Sequence, residues 1–283
     1  MRLQHVVEAS LLRALFAFLR ALPLDSASAL GGFLGRRIGP FFSAHKTALR
    51  NLVRVFPEKP EAWRREIRER MWENLGRVAA ELPHLPGQVL INRLVIRGEE
   101  HLPKTGESAL FFSGHLGNWE LLPSIPHYRG VPITLVYRHA NNPLVDKIIA
   151  GIRAVHSDNM IAKGPRGAFK LAKALKRKES ICMLVDQKMN DGISVPFFGK
   201  PAMTAPAIAQ LALHYDMPII PARVVRTGGA HFEVTIDPPV AFEKTGDKDA
   251  DQRAIMTTIN ARIETWIREH PEQWFWVHKR WPG

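Results

Sequence analysis

The sequence predicts an α/β protein with a central mixed, largely parallel sheet flanked by helices, preceded by a helical amino-terminal portion. Two observations predict this class. Apolar residues recur at helical spacing through roughly the first 85 positions, and after Pro86 short β-prone runs alternate with helical patterns. Strands that alternate with helices pair most readily in parallel, because each helix returns the chain to the same edge of the sheet.

The individual elements follow from these patterns. Four amino-terminal helices are predicted, with Pro60 near the first turn of the last: 5–22, 25–38, 43–55 and 60–82. The β-prone runs are Val89–Ile96, Ala109–Phe112, Ile133–Tyr137, Ile181–Val185, Ile219–Val225 and Phe232–Ile236. The later helical patterns are Pro143–Val155, Pro165–Leu175, Ala205–His214 and Gln252–Glu269. No linker-like tract interrupts them, which favours one α/β domain with a helical entrance.

Composition excludes several classes of protein. A chain of 283 residues with 46% apolar and 23% charged side chains can bury a substantial core, which excludes disordered and collagen-like proteins. The one cysteine, Cys182, can form neither an intrachain disulfide nor a cysteine-built zinc site. The net charge of +12 favours acidic partners such as phospholipid surfaces, phosphorylated ligands, nucleic acid or acidic proteins.

Half of the net charge lies in residues 1–56, which contain eight basic and two acidic residues. Arg13 and Arg20 share one face of the first predicted helix, and the other face holds Leu12, Leu15, Phe16, Leu19 and Leu22. A basic amphipathic helix of this kind is typical of a membrane interface, and its charges argue against a membrane span. We therefore predict a membrane-associating segment at 1–42 and a second domain at 43–283. The alternative is a helix that packs on its own domain with solvated arginines.

The strongest candidate for chemistry follows the β-prone run at Ala109–Phe112. His115 stands between Gly114 and Gly117, and Glu120 comes five positions later. Positions five apart do not share a helix face, so the two side chains meet only if His115 lies in a turn. A carboxylate on one imidazole nitrogen leaves the other to take a proton from a hydroxyl. A chance pairing without catalytic meaning is the alternative, and no metal is expected, because no second histidine lies at helical ligand spacing from His115.

Five blocks of sequence resemble one family. The first reads Gly-His-Leu-Gly-Asn-Trp-Glu, and the blocks are Gly114–Glu120, Val136–Pro143, Asp186-Gln187, Val195–Gly199 and Trp274–Trp281. The chain resembles the bacterial lipid A biosynthesis acyltransferases of the lauroyl and myristoyl transferase type, which carry a His-x4-Glu block. The blocks occur in the family's order and cover about residues 90–281. Residues 43–283 are therefore expected to form an acyltransferase domain.

The resemblance implies transfer of a fatty acyl chain from acyl carrier protein to a hydroxyl of a lipid A precursor. It implies a peripheral or monotopic protein at the cytoplasmic face of the inner membrane. The expected partners are acyl carrier protein, the lipid A precursor and an anionic membrane surface, with no nucleic acid and no cofactor. His115 is expected to act as the general base and Glu120 to orient it. The expected substrate-binding residues are Arg138, Arg153, Asp186, Gln187, Phe197 and Phe198.

The residues alone leave alternatives open. Arg138 and Arg153 are equally compatible with surface cations, and Asp186 with a loop-bracing residue. Phe197 and Phe198 stand in a loop-like stretch, and because exposed aromatic rings are costly, we expect them to contact the acyl chain or the membrane. Two other functions remain: a lysophospholipid or other glycolipid acyltransferase with the same chemistry, and a non-enzymatic basic membrane-surface binding protein.

Overall fold

The computed structural model describes residues 2–157, 159–162 and 165–282. In these ranges the helices are α1 Leu3–Ala21, α2 Leu24–Ile38, α3 Ala44–Val55, α4 Glu61–Glu81, α5 Gln88–Ile91, α6 Ser124–Tyr128, α7 Pro143–Arg153, α8 Pro165–Lys176, α9 Ala207–Tyr215 and α10 Lys248–Glu269. The strands are β1 Leu94–Arg97, β2 Leu110–Ser113, β3 Ile133–Tyr137, β4 Asn159–Ala162, β5 Ser180–Leu184, β6 Lys188–Phe197, β7 Lys200–Thr204, β8 Ile219–Gly228 and β9 His231–Ile236. The four predicted amino-terminal helices are confirmed.

Seven strands form one sheet in the order β1-β9-β8-β2-β5-β3-β4. Neighbouring strands are parallel except β8 and β9, which are antiparallel. This arrangement confirms the predicted mixed, largely parallel sheet. Strand β2 lies in its centre and is buried at every position, as expected where helices cover both faces.

The central strands send alternate side chains into two cores. Phe112 and Met183 pack with residues of α8, α9 and α10 on one face, whereas Phe111 and Cys182 pack with α6 on the other. Because β2 and β5 are parallel neighbours, their carboxyl ends lie at the same edge of the sheet. Ligand sites of open α/β sheets form at this kind of edge.

Parts of the strand prediction were wrong. Val89 to Ile91, expected in a strand, belong to α5, and β1 begins only at Leu94. Leu90 is completely buried, so its packing overrides the β propensity of its neighbours. The sequence does not predict β4 or the hairpin of β6 and β7. Pro196 and Pro201 face each other in that two-stranded hairpin, where each strand has one partner and a missing N–H is tolerated.

Helix α2 packs against α4 at backbone distance. A Cβ atom at Gly31 would lie 2.4 Å from the carbonyl oxygen of Gly76, and one at Gly35 would lie 2.2 Å from that of Trp72. Glycine is required at both positions, because no side chain fits between the two helices. The contact ties α2 to the rest of the protein, while the domain boundary at residue 42 stays a prediction.

The outer surface of the amino-terminal helices carries many apolar side chains. Phe41 is 88% exposed, and the Arg37 guanidinium lies 5.5 Å from the ring centre of Phe33. Other exposed apolar residues there are Leu3, Leu11, Phe18 and Phe42. Across the described ranges, none of the helices combines the length and the hydropathy needed to cross a bilayer. Apolar and basic groups therefore lie side by side on this surface.

The close approach of α2 and α4 predicts that a larger residue at the contact lowers the stability of the protein. Gly31→Ala should lower the free energy of unfolding by about 1–3 kcal/mol, because the new methyl group would overlap the Gly76 carbonyl. Gly151 in α7 is the matched control, since a Cβ there meets nothing within 4 Å outside its helix. Gly151→Ala should stabilise the protein by up to about 1 kcal/mol. Equal midpoints of urea unfolding for the two variants would contradict the close contact.

Candidate active site

The chain leaves β2 through a sharp turn at Gly114–Gly117. Gly117 has a φ of +58°, and a Cβ atom there would lie 2.1 Å from the Val224 carbonyl oxygen. The turn therefore requires glycine at this position. The Gly117 N–H donates to the carbonyl of Gln273 at 3.1 Å, which ties the turn to the carboxyl-terminal segment. His115 is thus held at the end of β2, as the sequence predicts.

A buried carboxylate binds His115. Asp186 lies two residues after the end of β5, and its Oδ1 lies 2.7 Å from Nδ1 of the His115 ring. Its Oδ2 accepts the His115 backbone N–H and the Nε1–H of Trp274, each at 2.7 Å. The side chain of Asp186 is only 1% exposed, so these hydrogen bonds replace the water that an ionised carboxylate would otherwise bind.

The hydrogen bond between Asp186 and His115 selects the tautomer of the neutral imidazole. Burial alone would raise the pKa of Asp186, but the adjacent His115 ring and the hydrogen bonds outweigh it and hold the pKa well below its ordinary value. The ionised carboxylate accepts a proton-bearing Nδ1, so Nε2 is the acceptor nitrogen of the neutral ring. The Gln187 amide nitrogen lies 3.3 Å from Nε2.

The structure pairs Glu120 with Arg153 rather than with His115. The Arg153 Nε lies 2.7 Å from Oε2 of Glu120, and Nη2 lies 2.5 Å from Oε1. The Nε1–H of Trp119 also donates to Oε1, at 3.1 Å. Burial would lower the pKa of Arg153, but Glu120 raises it overall. The expectation that Glu120 orients His115 is therefore corrected, because β5 brings Asp186 to the ring instead.

An open cavity of about 190 Å³ lies beside these groups. Its polar lining includes five of the predicted site residues: His115, Glu120, Arg138, Arg153 and Gln187. Asp186 binds His115 but does not line the cavity. Its apolar lining includes Leu85, Pro123, Leu135, Cys182 and Leu184. The described residues thus place an imidazole, guanidinium groups and an apolar wall around one space.

Phe197 and Phe198 do not line this cavity. Phe197 is completely buried at the end of β6 and stacks on Trp281, with 5.5 Å between ring centres. Phe198 is 9% exposed and meets Phe56 edge to face at 6.1 Å. We expected a loop whose rings contact the acyl chain or the membrane, but the stretch belongs to the β6–β7 hairpin, and residues distant in sequence cover both rings in the core.

Trp274 and His278 are site residues whose roles the sequence does not reveal. Both lie in the Trp274–Trp281 block, which is the signal that could have found them. The His278 Nε2 accepts the backbone N–H of Lys188 at 2.8 Å, two residues after Asp186. Burial lowers the pKa of His278 to about 4 against the opposing effect of Asp186, so the ring stays neutral and keeps this contact at neutral pH.

A sequence model of the family described as bacterial lipid A biosynthesis acyltransferase matches residues 1–282. The chain belongs to this family. The match includes the amino-terminal helices as well as the α/β portion. It confirms the resemblance drawn from the five sequence blocks and favours an enzyme over a non-enzymatic membrane-surface protein.

Relatives of this acyltransferase extend the likeness over most of the chain. It is 26% identical over 274 residues to a lipid A biosynthesis acyltransferase from Haemophilus influenzae, covering 90% of this chain and 81% of that one. It is 24% identical over 259 residues to the lipid A biosynthesis myristoyltransferase of Escherichia coli K12, covering 88% and 78%. Among solved structures, the 1-acyl-sn-glycerophosphate acyltransferase PlsC from Thermotoga maritima aligns with 93% of this chain and 98% of that chain, at a TM-score of 0.39 and 15% identity.

The contact between Asp186 and His115 predicts how a substitution of Asp186 affects turnover by the acyltransferase. Asp186→Asn should lower kcat by at least about a hundredfold, because an amide neither stabilises the protonated ring nor enforces the required tautomer. Asp251 is the matched control, since it is also buried and accepts hydrogen bonds, from Thr245 near the start of α10. Asp251→Asn should leave kcat unchanged. Wild-type turnover by folded Asp186→Asn protein would contradict the assigned role.

Proposed function

We propose that the protein transfers a fatty acyl group from the thioester of acyl carrier protein to a hydroxyl of a lipid A precursor, with His115 as general base. Membership of the family supports the reaction class. The observation that carries the mechanism is the hydrogen bond between the His115 Nδ1 and the buried Asp186 carboxylate, on a ring that lines a cavity. A histidine held in this way presents Nε2 as a proton acceptor.

In the proposed reaction, the acceptor hydroxyl replaces the Gln187 amide beside the His115 Nε2. The hydroxyl gives its proton to Nε2 while its oxygen attacks the carbonyl carbon of the thioester and forms a C–O bond. The tetrahedral intermediate then collapses with cleavage of the C–S bond, and the leaving sulfur takes the proton from the imidazolium. Asp186 stabilises the imidazolium between these two transfers. The products are an ester and the carrier thiol.

Arg153 is the proposed partner of the oxyanion in the tetrahedral intermediate. Glu120 holds its Nε and Nη2, and Nη1 has no hydrogen bond to the described residues. The guanidinium lines the same cavity as His115. A cation fixed before the reaction stabilises developing negative charge without further reorganisation. Glu120 therefore acts by holding Arg153.

The remaining walls of the cavity suit the two substrates. Leucine and proline side chains favour a fatty acyl chain. Arg138 is exposed at this cavity and forms no ion pair with the described residues, so it suits a phosphate or sugar acid of the acceptor. The net charge of +12 favours both an acidic carrier protein and a phosphorylated acceptor.

We also propose that α1, α2 and Gly39–Phe41 contact the anionic cytoplasmic face of the inner membrane. Their exposed apolar side chains are costly in water, and the neighbouring arginines complement lipid phosphates. An amphipathic helix of this kind lies in the plane of the interface. Contact with the membrane would bring the acyltransferase to its lipid acceptor.

The mechanism is tested by acyl transfer to a lipid A precursor, followed by mass spectrometry of the product. His115→Ala should lower kcat by about a hundredfold or more, because it removes the base. Glu120→Gln should lower kcat through a weaker hold on Arg153. His231→Ala, at an exposed histidine on β9, is the control and should leave kcat unchanged.

Two results would contradict this proposal. Near wild-type turnover by folded His115→Ala protein excludes a histidine base. Acylation of a lysophospholipid in place of the lipid A precursor would assign the acceptor to the alternative class.

Membrane contact is tested by flotation with anionic vesicles of phosphatidylglycerol. Phe33→Ser/Phe41→Ser should reduce the bound fraction severalfold, because burial of each side chain contributes about 1.5–3 kcal/mol. Phe169→Ser/Tyr215→Ser is the matched control, since it removes two exposed aromatic rings from α8 and α9. Equal flotation of both variants and wild type would show that the amino-terminal surface does not bind the vesicle.

A further inference from the structure

A second buried carboxylate, Glu81 at the carboxyl end of α4, contacts the turn that carries the catalytic residues. This catalytic turn is Gly114–Glu120. Glu81 is completely buried and does not line the cavity. We propose that Glu81 is a positioning residue that fixes the catalytic turn and so sets the geometry of His115 and Glu120. The inference rests on the proposed acyl transfer and deepens it.

Asn118 connects Glu81 directly to the catalytic turn. Its Nδ2 donates to Oε2 of Glu81 at 2.7 Å, and its Oδ1 accepts the backbone N–H of Glu120 at 3.3 Å. The side chain is 1% exposed. Without Glu81 the Asn118 amide would lose its buried acceptor, and a buried donor without a partner favours a rearranged turn. The orientation of Glu120 therefore depends on a contact behind it.

A second route runs through Arg226 on β8. Its Nη1 and Nη2 donate to Glu81 at 2.5 and 2.9 Å, and its Nε donates to Oδ1 of Asn74 at 2.9 Å. The Nδ2 of Asn74 in turn donates to the Gly117 carbonyl at 3.0 Å. Glu81 thus supports two consecutive residues of the catalytic turn from α4 and β8.

The chemistry of Glu81 requires a carboxylate. It accepts hydrogen bonds from Asn118, from both terminal nitrogens of Arg226 and from the Ser28 hydroxyl on α2, the last at 2.6 Å. A glutamine would present N–H groups to one of these donors and break that contact. Ser28 is the donor that does not connect Glu81 to the catalytic turn, so its substitution is the matched control.

The test compares Glu81→Gln with Ser28→Ala in the full-length protein. Each variant removes at least one hydrogen bond of the Glu81 side chain. In folded Glu81→Gln we expect kcat to fall by about tenfold or more with KM for the acyl thioester unchanged, because a displaced base slows the chemical step. Ser28→Ala should retain kcat. Amide hydrogen exchange of residues 110–122 should accelerate in Glu81→Gln and not in Ser28→Ala.

Two results would overturn the positioning role. One is unchanged kcat and unchanged exchange in folded Glu81→Gln, and the other is an equal loss of kcat in both variants. Failure of the proposed function is a separate result, because it appears as absent acyl transfer by the wild type. Hydrogen exchange of the catalytic turn still tests Glu81 in that case.

If Glu81→Gln does not fold, a double variant that exchanges the carboxylate of Glu81 and the amide of Asn118 tests the proposal. Asn118→Asp sets two carboxylates against each other and should slow turnover. Glu81→Gln/Asn118→Asp restores a donor and an acceptor across this contact, with the net charge of the wild type. Recovery of kcat in the double variant at unchanged KM supports the role. A kcat as low as that of Asn118→Asp, with hydrogen exchange of residues 110–122 as slow as in the wild type, overturns it.

Discussion

The carboxylate of Asp186 is ionised and almost completely buried, and the geometry of the site depends on the hydrogen bonds that stabilise its charge. Its hydrogen-bond donors come from the His115 backbone, the His115 ring and the Trp274 indole. These donors belong to the exit of β2 and to the carboxyl-terminal segment, while Asp186 itself follows β5. The charge is therefore satisfied only when the β2–β5 pairing and the return of the chain end are both in place. The same contacts that complete the fold therefore also assemble the His115–Asp186 pair.

The catalytic turn could be predicted from contiguous residues, but the partner of its histidine could not. A predicted strand followed by Gly114, His115 and Gly117 marks the turn within nine positions, because glycine and strand signals are local. Spacing favours Glu120 as partner for the same reason. Asp186 lies 71 residues after His115, and its arrival is decided by the strand order, which the separate strand patterns do not contain. The family blocks predicted Asp186 as a site residue but did not predict its hydrogen bond to His115.

The same distinction between local and long-range causes explains the fold. Amphipathic periodicity is local, so the amino-terminal helices were predicted to within a few residues. The structure of the Val195–Gly199 stretch was not predicted, because the prolines near Phe197 and Phe198 indicate a loop. Packing of these two rings against Trp281 and Phe56 makes a buried hairpin favourable instead. Likewise, the tight contact of α2 with α4 depends on glycines that a hydrophobicity pattern does not register.

The charges of the protein fall into two sets with different physical roles. Near the site, Glu120 is paired with Arg153 and Glu81 with Arg226, and the Asp186 carboxylate is held by hydrogen bonds from His115 and Trp274. The sequence as a whole keeps a positive excess of +12, and residues 163–178 alone contain seven basic and no acidic residues. Interactions of exposed charges act over about 8–10 Å and weaken with salt, whereas buried pairs are screened little. Under the proposed function, attraction of an acidic partner and transfer of a proton would depend on separate groups, so that surface charge could change without disturbing the geometry of His115.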